Sequence, residues 1–200
     1  MISITLFCIL LFMIIFEKHH HWSKVKALSR VFLDNGFEIL LVGGCVRDAL
    51  MGLEPKDFDL VTNATPEQIS KMFPKTVDVG VVFGVSVVVQ EGEGFEIATF
   101  RKDLDYTDGR HPTDIEFAKS AQEDVLRRDF TINALYWDFK SEKTLDFVQG
   151  KKDIARRLLK TVGDPKQRFA EDQLRVLRAL RFSACYELEV HRATNNALYN

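Results

Sequence analysis

The chain has 200 residues, 46% hydrophobic and 28% charged, with a formal net charge of −2 at pH 7. This composition excludes disorder as the default state, and the near-neutral balance gives no overall sign of a nucleic-acid partner, although Lys and Arg crowd into Lys151–Arg181 and leave a local basic surface open. Three cysteines, Cys8, Cys45 and Cys185, stand far apart without metal-ligand spacing, which fits a reducing compartment and argues against a structural zinc site.

Residues 1–16, "MISITLFCILLFMIIF", are almost wholly apolar. They fall short of the ~20 residues a spanning helix needs, and they lack the cationic start and small-residue cleavage site of a secretory signal. Two readings stand: a membrane anchor flanked on the cytoplasmic side by Lys18, Lys24 and Lys26, or an N-terminal extension, even a misplaced start. Residues 1–21 are therefore set apart, with His19-His20-His21 read as incidental on an exposed linker rather than as metal ligands.

From Trp22 to Asn35 the apolar positions Val25, Leu28, Val31 and Phe32 form a helical stripe, stopped by Asn35-Gly36. "FEILLV" has the length of a strand, "VRDALMG" reads as a short helix ended by Gly52, and "DFDLV" as a second strand. Thr65 caps a helix opened by Pro66 and Glu67. "VSVVVQ" and "FEIATF" flank the turn signal "EGEG" and predict a hairpin. Residues 103–112 are a polar loop; "QEDVLRRDFTINAL" then predicts a helical stretch and "TLDFV" a short strand. Beyond Lys151 only helices are expected, over "KKDIARRLL" and "QRFAEDQLRVLRALRFSACYEL". The α/β part, 22–150, thus precedes a helical region, 151–200.

Alternation along a strand points Asp57 and Asp59 one way and Phe58 into the core. Two carboxylates so close repel, and a hard divalent cation with oxygen ligands, Mg²⁺, relieves the repulsion. Glu96, between Phe95 and Ile97, offers a third carboxylate from another strand, completing a seat for two metals suited to phosphoryl or nucleotidyl transfer. Alone, a D-x-D pair is common and usually just solvated. Gly43-Gly44 ahead of a helix lets backbone N–H groups approach a phosphate, or simply makes a tight turn; Arg47 adds a fixed positive charge nearby. Asp172, Arg175, Arg178 and Arg181 recur every three residues. Asp172 beside Arg175 presents an acceptor next to a donor, which complements the amino group and bare ring nitrogen of adenine and cytosine and repels guanine and uracil; the plain alternative is a surface ion pair.

"LVGGCVRDALMGLEPKDFDLVTNATPEQ", "FEIATFRKDLDYTDGRHP", "QEDVLRRDFTINAL" and "EDQLRVLRALRF" resemble, in order and spacing, the bacterial tRNA CCA-adding enzymes and poly(A) polymerases of the class II nucleotidyltransferases. The resemblance covers roughly residues 37–185. It implies a polymerase-β-like head with a small mixed sheet, followed by an all-helical neck. It further implies that Asp57, Asp59 and Glu96 are the catalytic metal ligands, and that Gly43, Gly44 and Arg47 contact the nucleotide. Arg128 and Asp129 would lie near its ribose and phosphates, and Asp172, Arg175, Arg178 and Arg181 would read the base and hold phosphate. Arg110 matches a flexible element linked in the family to switching between C and A.

The activity so implied is template-independent addition of CMP and AMP from CTP and ATP to the 3′ end of tRNA, with two Mg²⁺ ions, in the cytoplasm. Two alternatives remain: poly(A) synthesis or addition of the terminal A alone, and a truncated relic that binds nucleotide or RNA without turnover, since family members continue for about as many residues again. A membrane-tethered version follows only if residues 1–16 anchor the chain.

Overall fold

The structure, a computed structural model, describes residues 14–80, 84–104 and 114–199. The chain separates into two compact units, Met1–Phe100 with Tyr136–Leu145 and Arg101–Leu135 with Asp146–Asn200. Residues 101–135 thus group with the helical part although they precede residue 150.

The expected mixed α/β fold is the one that forms. In the first unit, helix α1 (Trp22–Asp34) buries Val25, Leu28 and Phe32 completely. Its end is closed by Gly36 at φ 80 and by Phe37 N–H donating to Phe32 O, the bond pattern a left-handed glycine permits. Strand β1 (Ile39–Val42) is buried at every position, as a short unbroken apolar run predicts for a strand covered on both faces. Helix α2 (Gly44–Leu50) follows, then β2 (Asp59–Thr62) and helix α3 (Pro66–Met72). Thr65 and Gln68 bond reciprocally across the start of α3, a full capping box of which sequence reading supplies only the Thr65 half.

Strands β3 (Thr76–Gly80), β4 (Val85–Gln90) and β5 (Glu93–Thr99) come next, and later β8 (Leu135–Asp138) and β9 (Lys143–Asp146) complete a seven-stranded sheet ordered β3-β4-β5-β2-β1-β8-β9. β2 and β5 are parallel; the other pairs resolved by register are antiparallel. β4 and β5 join through Glu91 and Gly92, both at positive φ, so the turn takes two residues and β5 starts earlier than "FEIATF" suggested. β3 was not anticipated: it is a short edge strand whose Val77 is half exposed, so it carries little alternation to read.

The second unit departs further from expectation. In place of one helical stretch over "QEDVLRRDFTINAL", helix α4 (Ala121–Asp124) is followed by single 3₁₀ turns at Val125–Arg127 and Thr131–Asn133, with the chain extended at Arg128 and Phe130. Local side-chain bonds compete with the helix here. The fully buried Asp124 carboxylate takes Arg127 Nε at 2.8 Å and Arg128 Nη2 at 2.7 Å, and Asp129 Oδ1 accepts from Phe130 N at 2.7 Å. Nor is the region beyond Lys151 purely helical: helix α5 (Gly150–Ala155) stops ahead of Arg157 at φ 52, and β10 (Leu158–Leu159) pairs in parallel with β11 (Glu189–Val190). The long helical run is two helices, α6 (Pro165–Glu171) and α7 (Leu174–Tyr186), parted at Asp172, whose Oδ1 accepts from Leu174 N. Helix α8 (Arg192–Leu198) closes the unit, which also holds the two-stranded pair β6 (Arg101–Asp103) and β7 (Ile115–Phe117).

No helix among the described residues is long and apolar enough to cross a membrane; most of the apolar stretch 1–16, residues 1–13, lies outside them. His19 does not match the exposed-linker reading. It is 5% exposed, and Phe16 is completely buried.

A Cβ at Gly150 would lie 2.2 Å from the Thr131 carbonyl oxygen and 3.0 Å from Leu135 Cδ2. Gly150→Ala is expected to lower stability by about 3 kcal/mol, the upper range of overpacking costs, because the nearest atom is backbone. Urea unfolding checks this, and an unchanged midpoint would contradict it.

Candidate active site

The first unit carries an acidic cluster. Gly43 sits at φ 76, ψ −127, a conformation open to glycine, and turns the chain from β1 into α2. A Cβ at Gly44 would meet Arg47 Nη2 at 3.6 Å, an ordinary contact, so Gly43 is the residue the turn requires and Gly44 the one that leaves backbone uncovered. Arg47 is buried and bonds its neighbour Asp48 through Nε at 2.9 Å and Nη2 at 2.7 Å, which fixes the guanidinium direction.

Asp57 and Phe58 lie just ahead of β2 and Asp59 begins it, and the expected alternation holds: Phe58 is 6% exposed, whereas both aspartates are exposed. In the parallel pair, Leu60 stands opposite Ile97, both buried. One residue back, Asp59 and Glu96 therefore face the same side. Asp57, Asp59 and Glu96 line one open pocket of about 250 Å³, together with His21, Lys56, Phe58, Gly94 and Phe95. Lys56 and Gly94 were not singled out from sequence, and His21 was read there as incidental. A Cβ at Gly94 would lie 3.0 Å from Val87 Cγ1, which gives that glycine a packing reason.

The donor set fits a hard cation, since all three acids supply oxygen alone. Among the described residues, no three His, Cys, Asp or Glu side chains converge into a group that would hold a metal ion as it stands. The pocket gathers the carboxylates on one wall without closing them into a cage.

The second unit carries a basic cluster of its own. Arg178 clasps Asp129 through Nε at 2.7 Å and Nη2 at 2.6 Å, and the other Asp129 oxygen receives Phe130 N and Asn133 Nδ2. Arg128 is held by Asp124. Arg175, 7% exposed, bonds Glu171 Oε2 at 2.9 Å and the carbonyls of Arg168 and Arg127. Asp172 is only a secondary neighbour of Arg175, with Nε and Oδ2 4.0 Å apart, because Asp172 stands at the break between helices rather than inside one. Arg178 and Arg181 both lie over the Phe182 ring, at 5.1 and 4.9 Å. Leu174, Leu177 and Leu180 are exposed, so the outward stripe of α7 is apolar and Arg175 points inward. Arg110 lies outside the described residues.

Cys45, in α2 beside these acids, is 1% exposed, and its Sγ donates to the Val42 carbonyl at 3.3 Å. Burial, then the Asp59 charge, pushes its thiol pKa up to about 12. Because the thiolate is the reactive form, folded protein at pH 8 is expected to be labelled by a thiol reagent at the exposed Cys185 and not at Cys45 until denaturant is added. Peptide mapping of labelled protein checks this; modification of Cys45 in the native state would contradict it.

The family described as the Poly A polymerase head domain matches residues 39–160. A curated relative from Bacillus licheniformis, named CCA-adding enzyme, is 46% identical over 175 residues, covering 88% of this chain and 44% of that protein. Another of that name from Oceanobacillus iheyensis is 40% identical over 176 residues, with the same coverage of each. The crystal structure of the Bacillus stearothermophilus CCA-adding enzyme in complex with CTP superposes with a TM-score of 0.80 at 35% identity, over 90% of this chain and 43% of that one. The chain thus spans less than half the length of these relatives. On the match over residues 39–160, the chain belongs to the poly(A) polymerase head-domain family, with CCA-adding enzymes among its relatives.

Proposed function

We propose that the protein is a metal-dependent RNA nucleotidyltransferase that adds CMP and AMP from CTP and ATP to the 3′ end of tRNA without a template, in the cytoplasm. The observation that carries this reading is the shared pocket of Asp57, Asp59 and Glu96, beside a glycine turn and a directed arginine. The names of the relatives favour CCA addition over poly(A) synthesis.

Asp57 and Asp59, with Glu96, would hold two Mg²⁺ ions. When bound, these supply Lewis acidity that eases deprotonation of the attacking 3′-hydroxyl and offsets charge on the leaving pyrophosphate. The chain's own groups do the rest. The turn at Gly43-Gly44 leaves backbone N–H groups open to phosphate oxygens, and Arg47, held in direction by Asp48, adds positive charge for the triphosphate. Arg128, Asp129 and Arg178 form a pre-set charged cluster for ribose and phosphate.

Asp172 and Arg175 would choose the base. Three of the five Arg175 N–H groups are taken by Glu171, Arg168 O and Arg127 O, leaving two to donate, while Asp172 Oδ2 stays clear of the cap formed by Oδ1. A fixed donor beside an acceptor suits adenine and cytosine. Arg181 would hold phosphate, and Arg110 would serve the switch from C to A.

In an assay with tRNA lacking its CCA end, the full chain is expected to incorporate CTP and then ATP but neither GTP nor UTP. Asp57→Asn and Asp59→Asn should each reduce incorporation at least about 100-fold, as loss of a metal contact does. A long tail from ATP alone would replace CCA addition by poly(A) synthesis, and undiminished turnover in both variants would remove the metal site from the mechanism.

A further inference from the structure

We propose that Phe16 and His19, which precede the family-matched residues, are positioning residues for the Asp57 and Asp59 carboxylates. The inference rests on the reading of those aspartates as metal ligands. Its own basis is how the short stretch from Lys56 to Asp59 is held.

β2 begins only at Asp59, whose partner across the ladder is Val42, so the chain carrying Asp57 lies outside the sheet. Strand pairing alone does not set the direction of Asp57. Phe58, the residue after it, is instead gripped by the segment ahead of α1. The Phe58 ring is enclosed by Phe16, edge-on at 5.3 Å between centroids, by His19, edge-on at 4.7 Å, and by Trp22 at 5.6 Å. Phe16 is in turn fixed by Trp22 at 4.8 Å and Trp137 at 6.5 Å, and is completely buried. All these residues belong to the first unit.

His19 bears on the same ring. Its Nδ1 accepts from His21 N at 3.2 Å, which leaves Nε2 to carry the proton and fixes the ring edge-on to Phe58. One imidazole therefore bears on the residue that separates the two aspartates. The neutral ring this pattern needs is favoured by burial first, then by His20 and His21, all of which lower the His19 pKa. The turn is braced along its backbone, His19 N donating to Phe16 O at 2.9 Å and Trp22 N to His19 O at 3.0 Å. Losing either side chain would free Phe58 to tilt and let the two carboxylates diverge. A site that must bring together charges already inclined to separate has little tolerance for such slack.

The test compares Phe16→Ala, Phe16→Leu, His19→Ala and His19→Gln with Asp57→Asn in the full chain. Mn²⁺ binding is followed by electron paramagnetic resonance, and thermal unfolding is recorded alongside. The expected result is that Phe16→Ala and His19→Ala weaken Mn²⁺ binding per folded molecule about tenfold and raise the Mg²⁺ concentration for half-maximal nucleotide incorporation by a similar factor. Phe16→Leu, which keeps an apolar body, and His19→Gln, which keeps a side-chain acceptor for His21 N, should recover most of the loss. Should Phe16→Ala fail to fold, the His19 pair decides. A lower melting temperature with unchanged Mn²⁺ binding in His19→Ala would overturn the inference and leave the metal site intact. Unchanged binding in Asp57→Asn would overturn the metal assignment and the inference with it.

Discussion

Burial of one aromatic ring organises the first unit. Phe58 can reach the core only if its neighbours in an extended chain turn the other way, so withdrawing Phe58 from water presents Asp57 and Asp59 on a common face. Fully burying a side chain of this size contributes roughly 1.5–3 kcal/mol, comparable to what two nearby carboxylates cost by repulsion near a surface. The fold can therefore hold the two carboxylates on one face. The parallel pairing of β2 with β5 then sets Glu96 beside Asp59, and the pocket follows from register rather than from a special loop.

The second unit solves the opposite problem, keeping arginines in fixed directions. Several of the described guanidiniums there are matched to a carboxylate: Arg127 and Arg128 to Asp124, Arg178 to Asp129, Arg168 and Arg175 to Glu171. Such pairs add little net stability where they are buried, because the desolvation they incur offsets their attraction. What they provide is direction. Arg175 meets the Glu171 carboxylate and two carbonyls, so its guanidinium is held in one direction.

The strands around the acidic site, the glycine turn and the alternation at Asp57-Phe58-Asp59 were legible because period-two burial and positive-φ glycine leave direct marks in sequence. The second unit was less so. "QEDVLRRDFTINAL" has the composition of a helix, yet Asp124 and Asp129 spend their oxygens on nearby donors and interrupt it. "EDQLRVLRALRF" shows a period of three, but that period cannot reveal that Asp172 ends one helix and caps the next, nor that Glu171 rather than Asp172 is the main partner of Arg175. The roles of Phe16 and His19 were hidden for another reason: three consecutive histidines after an apolar run show no periodicity, and only the packing against Phe58 gives them meaning.

The central claim is that Asp57 and Asp59 act as one seat for divalent metal beside Glu96. Anomalous diffraction from a crystal of the protein soaked with Mn²⁺ and CTP tests it most directly. The account predicts a peak at coordination distance from both aspartate carboxylates, with the triphosphate toward the Gly43 turn. A metal found elsewhere, or bound by neither aspartate, would contradict it.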